Sequence, residues 1–207
     1  GINSSKLSDP KKRYWERNSE DFEAPELAVS LLIDGSGSMI GYRTNSACRA
    51  AVILNEVLDN IRVPHRIAEF RSYCTDSAEH NIFVDYNAKP NDKYNIMKLN
   101  ADGGNKDGLA LKWAIKDISK QPQKDKVVII ISDGTPSAYN KYEEIIDDMK
   151  SALKKAKIKN VSVIAIALEE EAVYTSLKCF YKNILFCKNL EKLPEMLAKI
   201  ISEQLSK

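Results

Sequence analysis

Long apolar runs, paired cysteines and histidine are what this 207-residue chain has least of, and each shortage closes a class of function. No apolar segment approaches the ~20 residues needed to span a bilayer, and no secretory leader is visible. The four cysteines, Cys48, Cys74, Cys179 and Cys187, form no C-x-x-C pair, and dispersed as they are they make no credible zinc cluster with the histidines. They are expected to be free, mostly buried thiols in a reducing, cytoplasmic compartment. Only two histidines are present, His65 and His80. Both fall at strand edges, where surface positions are expected, and a hydrolase that needs a histidine base has little to draw on. A net charge of +2 gives no electrostatic case for nucleic acid or membrane. The basic run Lys150 to Lys159 closes a predicted helix, where lysines complement the dipole. There is no G-x-x-x-x-G-K phosphate loop.

What remains is an ordinary globular composition, 43% hydrophobic and 29% charged, long enough for one α/β domain. Residues 1–25 are polar and charged, with Tyr14, Trp15 and Phe22 as the large apolar anchors. They read as a linker from an upstream region, with one packed turn around Trp15. Because the chain opens on Gly1 rather than Met, it is expected to be a piece of a longer protein.

From residue 26 onward, strand and helix signals alternate. Strands are predicted at 27–33, 66–70, 81–86, 126–132, 161–168 and 183–187, and helices at 42–61, 107–119, 141–156 and 190–205. Runs such as KVVIIIS and VSVIAIAL are apolar on both faces, as strands covered by helices on both sides must be. The expected architecture is a doubly wound, mostly parallel sheet flanked by helices on both faces. The 81–86 strand is expected to be an antiparallel edge.

In such folds ligands collect at the carboxyl ends of the strands. Three loops rich in Asp, Ser and Asn fall there: Asp34-Gly35-Ser36-Gly37-Ser38, the 102–108 segment, and Ser132-Asp133-Gly134. Oxygen side chains at alternating positions can face one crevice, and oxygen donors suit a hard divalent cation, Mg2+ or Mn2+. Two carboxylates brought together call for such a neutralising charge. Helix caps and tight turns would account for any one loop, but not for the three together. A phosphohydrolase of the haloacid-dehalogenase kind would need an acid two residues after Asp34. Ser36 stands there instead, and a serine cannot perform that proton transfer near neutral pH.

The D-x-S-x-S element (Asp34, Ser36, Ser38) with Asp133 in I-S-D-G-T-P resembles the metal-ion-dependent adhesion site of von Willebrand factor A domains. The resemblance covers residues 26–205. It implies a metal held by Asp34, Ser36, Ser38 and Asp133, and a partner that offers an acidic side chain. The family's middle ligand, a threonine, is replaced here by Asn105, so either Asn105 or Asp107 is expected to fill that role. Asp107 also opens a predicted helix, where it could serve as the cap. The N-K-D-G-L-A-L and L-L-I-D-G-S-G-S-M wording is most similar to the A domains of cobaltochelatase T subunits and nitric-oxide-reductase activation proteins. That similarity implies a bacterial protein working with a MoxR-type AAA+ ATPase in metal chelation, cofactor insertion or metalloenzyme activation. Two rivals are a metal-dependent phosphohydrolase and a metal-free interaction domain with a vestigial site.

Overall fold

The computed structural model describes residues 25–74, 77–134, 136–168 and 171–206. The expected turn around Trp15 lies outside them. Six strands form one sheet in the order β3-β2-β1-β4-β5-β6. They are β1 (Leu27–Asp34), β2 (His65–Arg71), β3 (Glu79–Val84), β4 (Asp125–Ser132), β5 (Ser162–Leu168) and β6 (Ile184–Cys187). All neighbours run parallel except β2 and β3, which pair antiparallel at the edge as expected.

Among the described residues, five helices cover the sheet: α1 (Tyr42–Asn60), α2 (Asp107–Ile118), α3 (Tyr142–Ile158), α4 (Glu171–Lys178) and α5 (Leu193–Leu205). The period-2 alternation of the strands decides which side chain meets which layer. Leu27, Val29, Leu31 and Ile33 of β1 pack with Val127, Ile129 and Ile131 of β4 under α1 and α5. Ala28 and Leu32 of β1 pack with Val128 and Ile130 of β4 under α2 and α3. Every residue of β1 is buried. Each of the large aliphatic residues contributes roughly 1.5–3 kcal/mol of burial.

The chain leaves β1 toward β2 on one side, whereas β4, on the other side of β1, continues to β5. The sheet therefore has its topological switch between β1 and β4, and Asp34 and Ser132 end those two strands.

Four local expectations are corrected. His65 is not a surface residue: it is buried within β2, its ring 2.9 Å from the Val63 carbonyl and 3.1 Å from the Asn55 carboxamide oxygen. His80 is half-buried and stacks on Trp113 with ring centroids 4.2 Å apart. Cys74 and Cys179 are exposed and Cys48 half-buried, so only Cys187 fits the buried-thiol reading, and none of the four is assigned to a disulfide. Helix α4 and the 3₁₀ stretch Asp92–Lys98 are elements that the sequence pattern above does not predict. Both are short: the 3₁₀ stretch buries Ile96 alone, and α4 runs for eight residues, about two turns, too few for a helical period to stand out in the sequence.

Candidate metal centre

Three loops meet at the carboxyl edge of the sheet, and backbone bonds tie them together. The Gly37 amide donates to the Gly103 carbonyl at 2.9 Å, and the Asp102 amide to Gly35 at 2.7 Å. Ser72, just past β2, exchanges two 2.8 Å backbone bonds with Gly104. Gly103 has φ +71, and a Cβ there would lie 2.9 Å from the Ser72 carbonyl, so the approach admits glycine alone. Gly35 is similarly constrained, because a Cβ would collide with the buried Glu69 side chain.

On this frame the oxygens converge. The Ser36 and Ser38 hydroxyls lie 3.0 Å apart, and Ser38 Oγ donates to Asp133 Oδ1 at 2.7 Å. Asp34 Oδ1 accepts from the Ser36 amide at 2.8 Å. Its Oδ2 accepts from Ser132 Oγ at 2.9 Å and from Asn105 Nδ2 at 3.1 Å. Asp34, Ser36 and Asp133 are buried, whereas Ser38 is exposed and marks the open side. Burial pushes the Asp34 carboxyl up to about 6, against the pull of its hydrogen bonds from Ser36 and Ser132, and the Asp133 charge adds to the rise.

Asn105 is not aimed as a ligand. Its Oδ1 accepts from the Ser137 amide and hydroxyl, both at 2.8 Å. A backbone amide can only donate, so the carboxamide is fixed with its NH2 toward Asp34 and Asp107. It bridges two carboxylates, standing 3.1 Å from each.

Asp107 lies behind it. The residue is fully buried, with one oxygen held by Asn105 and the other 3.4 Å from the Tyr181 hydroxyl, which donates to it. Burial, then the neighbouring Asp34 charge, holds its carboxyl well above the ordinary range. It is the first residue of α2, with Lys106 at the cap position and no side-chain capping bond, so the capping role is also corrected.

Sequence reasoning missed Ser132, Ser137, Tyr181 and Arg43. Ser132 was in view as part of the I-S-D-G loop, but its bond to Asp34 depends on strand register. Arg43 Nη1 donates to Asp133 Oδ2 at 2.7 Å and to the Ser38 carbonyl at 3.0 Å. It did leave a signal: a cation in the first turn of a helix opposes the dipole.

The donor set fits a hard divalent cation. It consists of two hydroxyls and two carboxylates, all oxygen, and burial strains the ionised form of one carboxylate in a way that a cation would relieve. Among the described residues no three or more of His, Cys, Asp and Glu form a metal-holding group. The site thus relies on the hydroxyls, and two carboxylates at most.

The von Willebrand factor type A domain family matches residues 29–192. YojO of Bacillus subtilis (strain 168) is 26% identical over the whole chain, and Protein NorD of Brucella suis biovar 1 (strain 1330) is 26% identical over 86% of it. The chain spans 35% and 30% of those two proteins, about a third of their length. Among solved structures, the PilB minor pilin from Streptococcus sanguinis matches 87% of this chain and 61% of its own, with TM-score 0.64 and 17% identity. Proximal thread matrix protein 1 from the mussel byssus, with a zinc-occupied MIDAS motif, matches 84% of this chain and 47% of its own, with TM-score 0.62 and 18% identity. At those identities the structural likeness establishes the fold. With the family matched from Val29 to Lys192, through β1, β4 and the loops that end them, the chain belongs to the von Willebrand factor type A domain family.

Proposed function

We propose that this domain is a divalent-metal-dependent protein-interaction module whose site takes Mg2+ or Mn2+ and is completed by an acidic side chain from a protein partner. The observation that carries this reading is the convergence of the Ser36 and Ser38 hydroxyls with the Asp34 and Asp133 carboxylates at the sheet's switch point. Ser36 and Ser38 would hold the ion through neutral oxygens, with Asp34 and Asp133 supplying the negative charge. The ion would contribute an electrophilic position for a carboxylate. Ser132 and Asn105 keep Asp34 oriented, and the open side at Ser38 is where a partner would approach. The zinc-occupied MIDAS motif of the mussel protein supports a divalent ion at such a site in this fold.

Domains of this family are typically non-catalytic interaction modules. The site agrees with that habit. A phosphohydrolase needs a presented nucleophile, whereas both Asp34 oxygens accept hydrogen bonds in a buried position. The similarity to NorD supports the nitric-oxide-reductase activation branch; the role beside a MoxR-type AAA+ ATPase, in metalloenzyme activation or cofactor insertion in the bacterial cytoplasm, is proposed from the wording of the sequence motifs alone. No helix among the described residues is long and apolar enough to cross a membrane. Neither nucleic acid nor membrane is part of the proposed partnership.

Calorimetric titration of the domain with Mg2+ and Mn2+ tests the reading. Saturable binding is expected, and Asp34→Ala abolishes it while the circular dichroism spectrum and a cooperative melt persist. A heatless titration with both ions would instead favour the metal-free alternative, to which the orientation of Asn105 lends support.

A further inference from the structure

Large apolar residues are exposed singly over much of the described surface, which is ordinary for a folded domain. Three of them, however, belong to the segments that build the metal site. Ile40 is 68% exposed, Tyr42 55% and Tyr73 57%.

The local structure explains why they face out. The 3₁₀ turn Gly37–Met39 sends Met39 into the core, and Ile40 follows it on the outside. The Ile40 amide donates to the Gly37 carbonyl at 3.2 Å. Tyr42 opens α1 just after Gly41, whose φ of +87 turns the chain. Tyr73 comes directly after Ser72, which is bonded to Gly104. Its ring lies against the 102–104 segment, where a Cβ added at Gly103 would stand 3.1 Å from two of its ring carbons. Its hydroxyl donates to Asp102 Oδ2 at 3.1 Å and accepts from Arg71 Nη1 at 3.2 Å, so its polar end is satisfied. Gly37 ties the two sides together next to Ser38, with its carbonyl toward Ile40 and its amide 2.9 Å from the Gly103 carbonyl.

A carboxylate on a metal ion is a small contact, whereas a stable protein interface covers roughly 800 Å² on each partner. Whatever docks at Ser38 must therefore also meet the surface next to it. The charged groups there are already engaged within the domain. Arg43 donates to Asp133, Arg71 lies 3.0 Å from Glu69 Oε1, and Asp102 accepts from Tyr73 and from the Gly103 amide. What the surface offers a partner is apolar.

Resting on the function proposed above, we propose that Ile40, Tyr42 and Tyr73 form an apolar docking surface around the metal site. The partner it fits is a protein segment whose acidic side chain is flanked by aliphatic ones. The carboxylate completes the ion, and its apolar neighbours pack on these residues and keep water from the contact.

The test uses Mn2+ as the metal probe and two capped tripeptides, Gly-Asp-Gly and Leu-Asp-Leu, as partner probes, with Leu-Asn-Leu as the uncharged control. The proteins are wild type, Ile40→Ser, Tyr73→Ser and Tyr73→Phe. Mn2+ affinity is read by calorimetry. Peptide binding to the loaded protein is read as the loss of water-proton relaxation when bound water is displaced. Leu-Asp-Leu is expected to bind wild type about tenfold more tightly than Gly-Asp-Gly, the scale of one or two leucines partly removed from water. Leu-Asn-Leu is expected to displace no water. Ile40→Ser and Tyr73→Ser should each cut the preference for Leu-Asp-Leu several-fold while leaving the Mn2+ and Gly-Asp-Gly affinities unchanged. Tyr73→Phe keeps the ring and should keep the preference. Equal binding of the two acidic peptides to wild type, or a preference that survives both serine variants, would overturn the proposal and leave the function above standing. So would sedimentation of the loaded wild type as a dimer that both serine variants abolish, since a second copy would then be the occupant. A serine variant that loses Mn2+ affinity would be a brace of its loop, which overturns its assignment to the surface. If wild type binds no Mn2+, or binds it and takes neither acidic peptide, both readings fall.

Discussion

Asp34 accepts three hydrogen bonds and still titrates near 6, because burial outweighs them. The sign for stability follows from its ordinary value of 3.8. A carboxyl raised on folding favours the native state fully below that value, and the benefit is lost as pH rises through about 6. Between those limits the loss is on the order of 3 kcal/mol for the metal-free protein. Asp34→Asn removes the titration. The melting temperature of the variant relative to wild type, with chelator present, is expected to climb between pH 5 and pH 7.5; a flat difference would show that Asp34 ionises freely. His80 acts the other way. Burial against Trp113 lowers its ring to about 4 from 6.5, so its contribution is present above pH 6.5 and lost as pH falls through about 4. Replacing it with Phe keeps an aromatic ring on Trp113 and should flatten the acid limb of the stability profile in thermal melts from pH 7 to pH 4.

At the scale of elements, the site is three loops fastened by backbone hydrogen bonds to strand ends. Gly103→Ala tests that fastening. The substitution forces a side chain into φ +71 and to within 2.9 Å of the Ser72 carbonyl. It is expected to destabilise the domain by about 1–3 kcal/mol and to weaken Mn2+ binding, although residue 103 offers the metal no side chain. Unchanged Mn2+ affinity would mean that the loops are held by their side chains instead. What was legible in the sequence follows the same division. Continuous apolar runs announced β1, β4 and β5, and the polar loops after β1 and β4 announced the edge where oxygens gather. The facing of Asn105 was not legible, since it is set by the amide of Ser137, in a loop 32 residues away. The burial of His65 likewise depends on α1, which supplies Asn55 from ten residues upstream.

For the whole molecule, an ion that binds the native site and not the unfolded chain would add to stability, so binding and folding are linked. A ligand at 100 times its dissociation constant adds about 2.7 kcal/mol to the native state. For a domain of 207 residues each kcal/mol shifts the melting temperature by roughly 2–4 °C, which gives an expected rise of about 5–10 °C with saturating Mg2+ at pH 7.5. The rise should shrink at pH 5, where Asp34 carries its proton in the metal-free state and a cation must displace it. It should vanish in Asp34→Ala, whose remaining carboxylate already has Arg43 as a counter-charge. Differential scanning fluorimetry with Mg2+ against chelator, at both pH values and on both proteins, reads all of this from one instrument. An equal shift in Asp34→Ala would locate the stabilising ion elsewhere on the molecule. An equal shift at the two pH values would show that metal binding does not compete with the Asp34 proton.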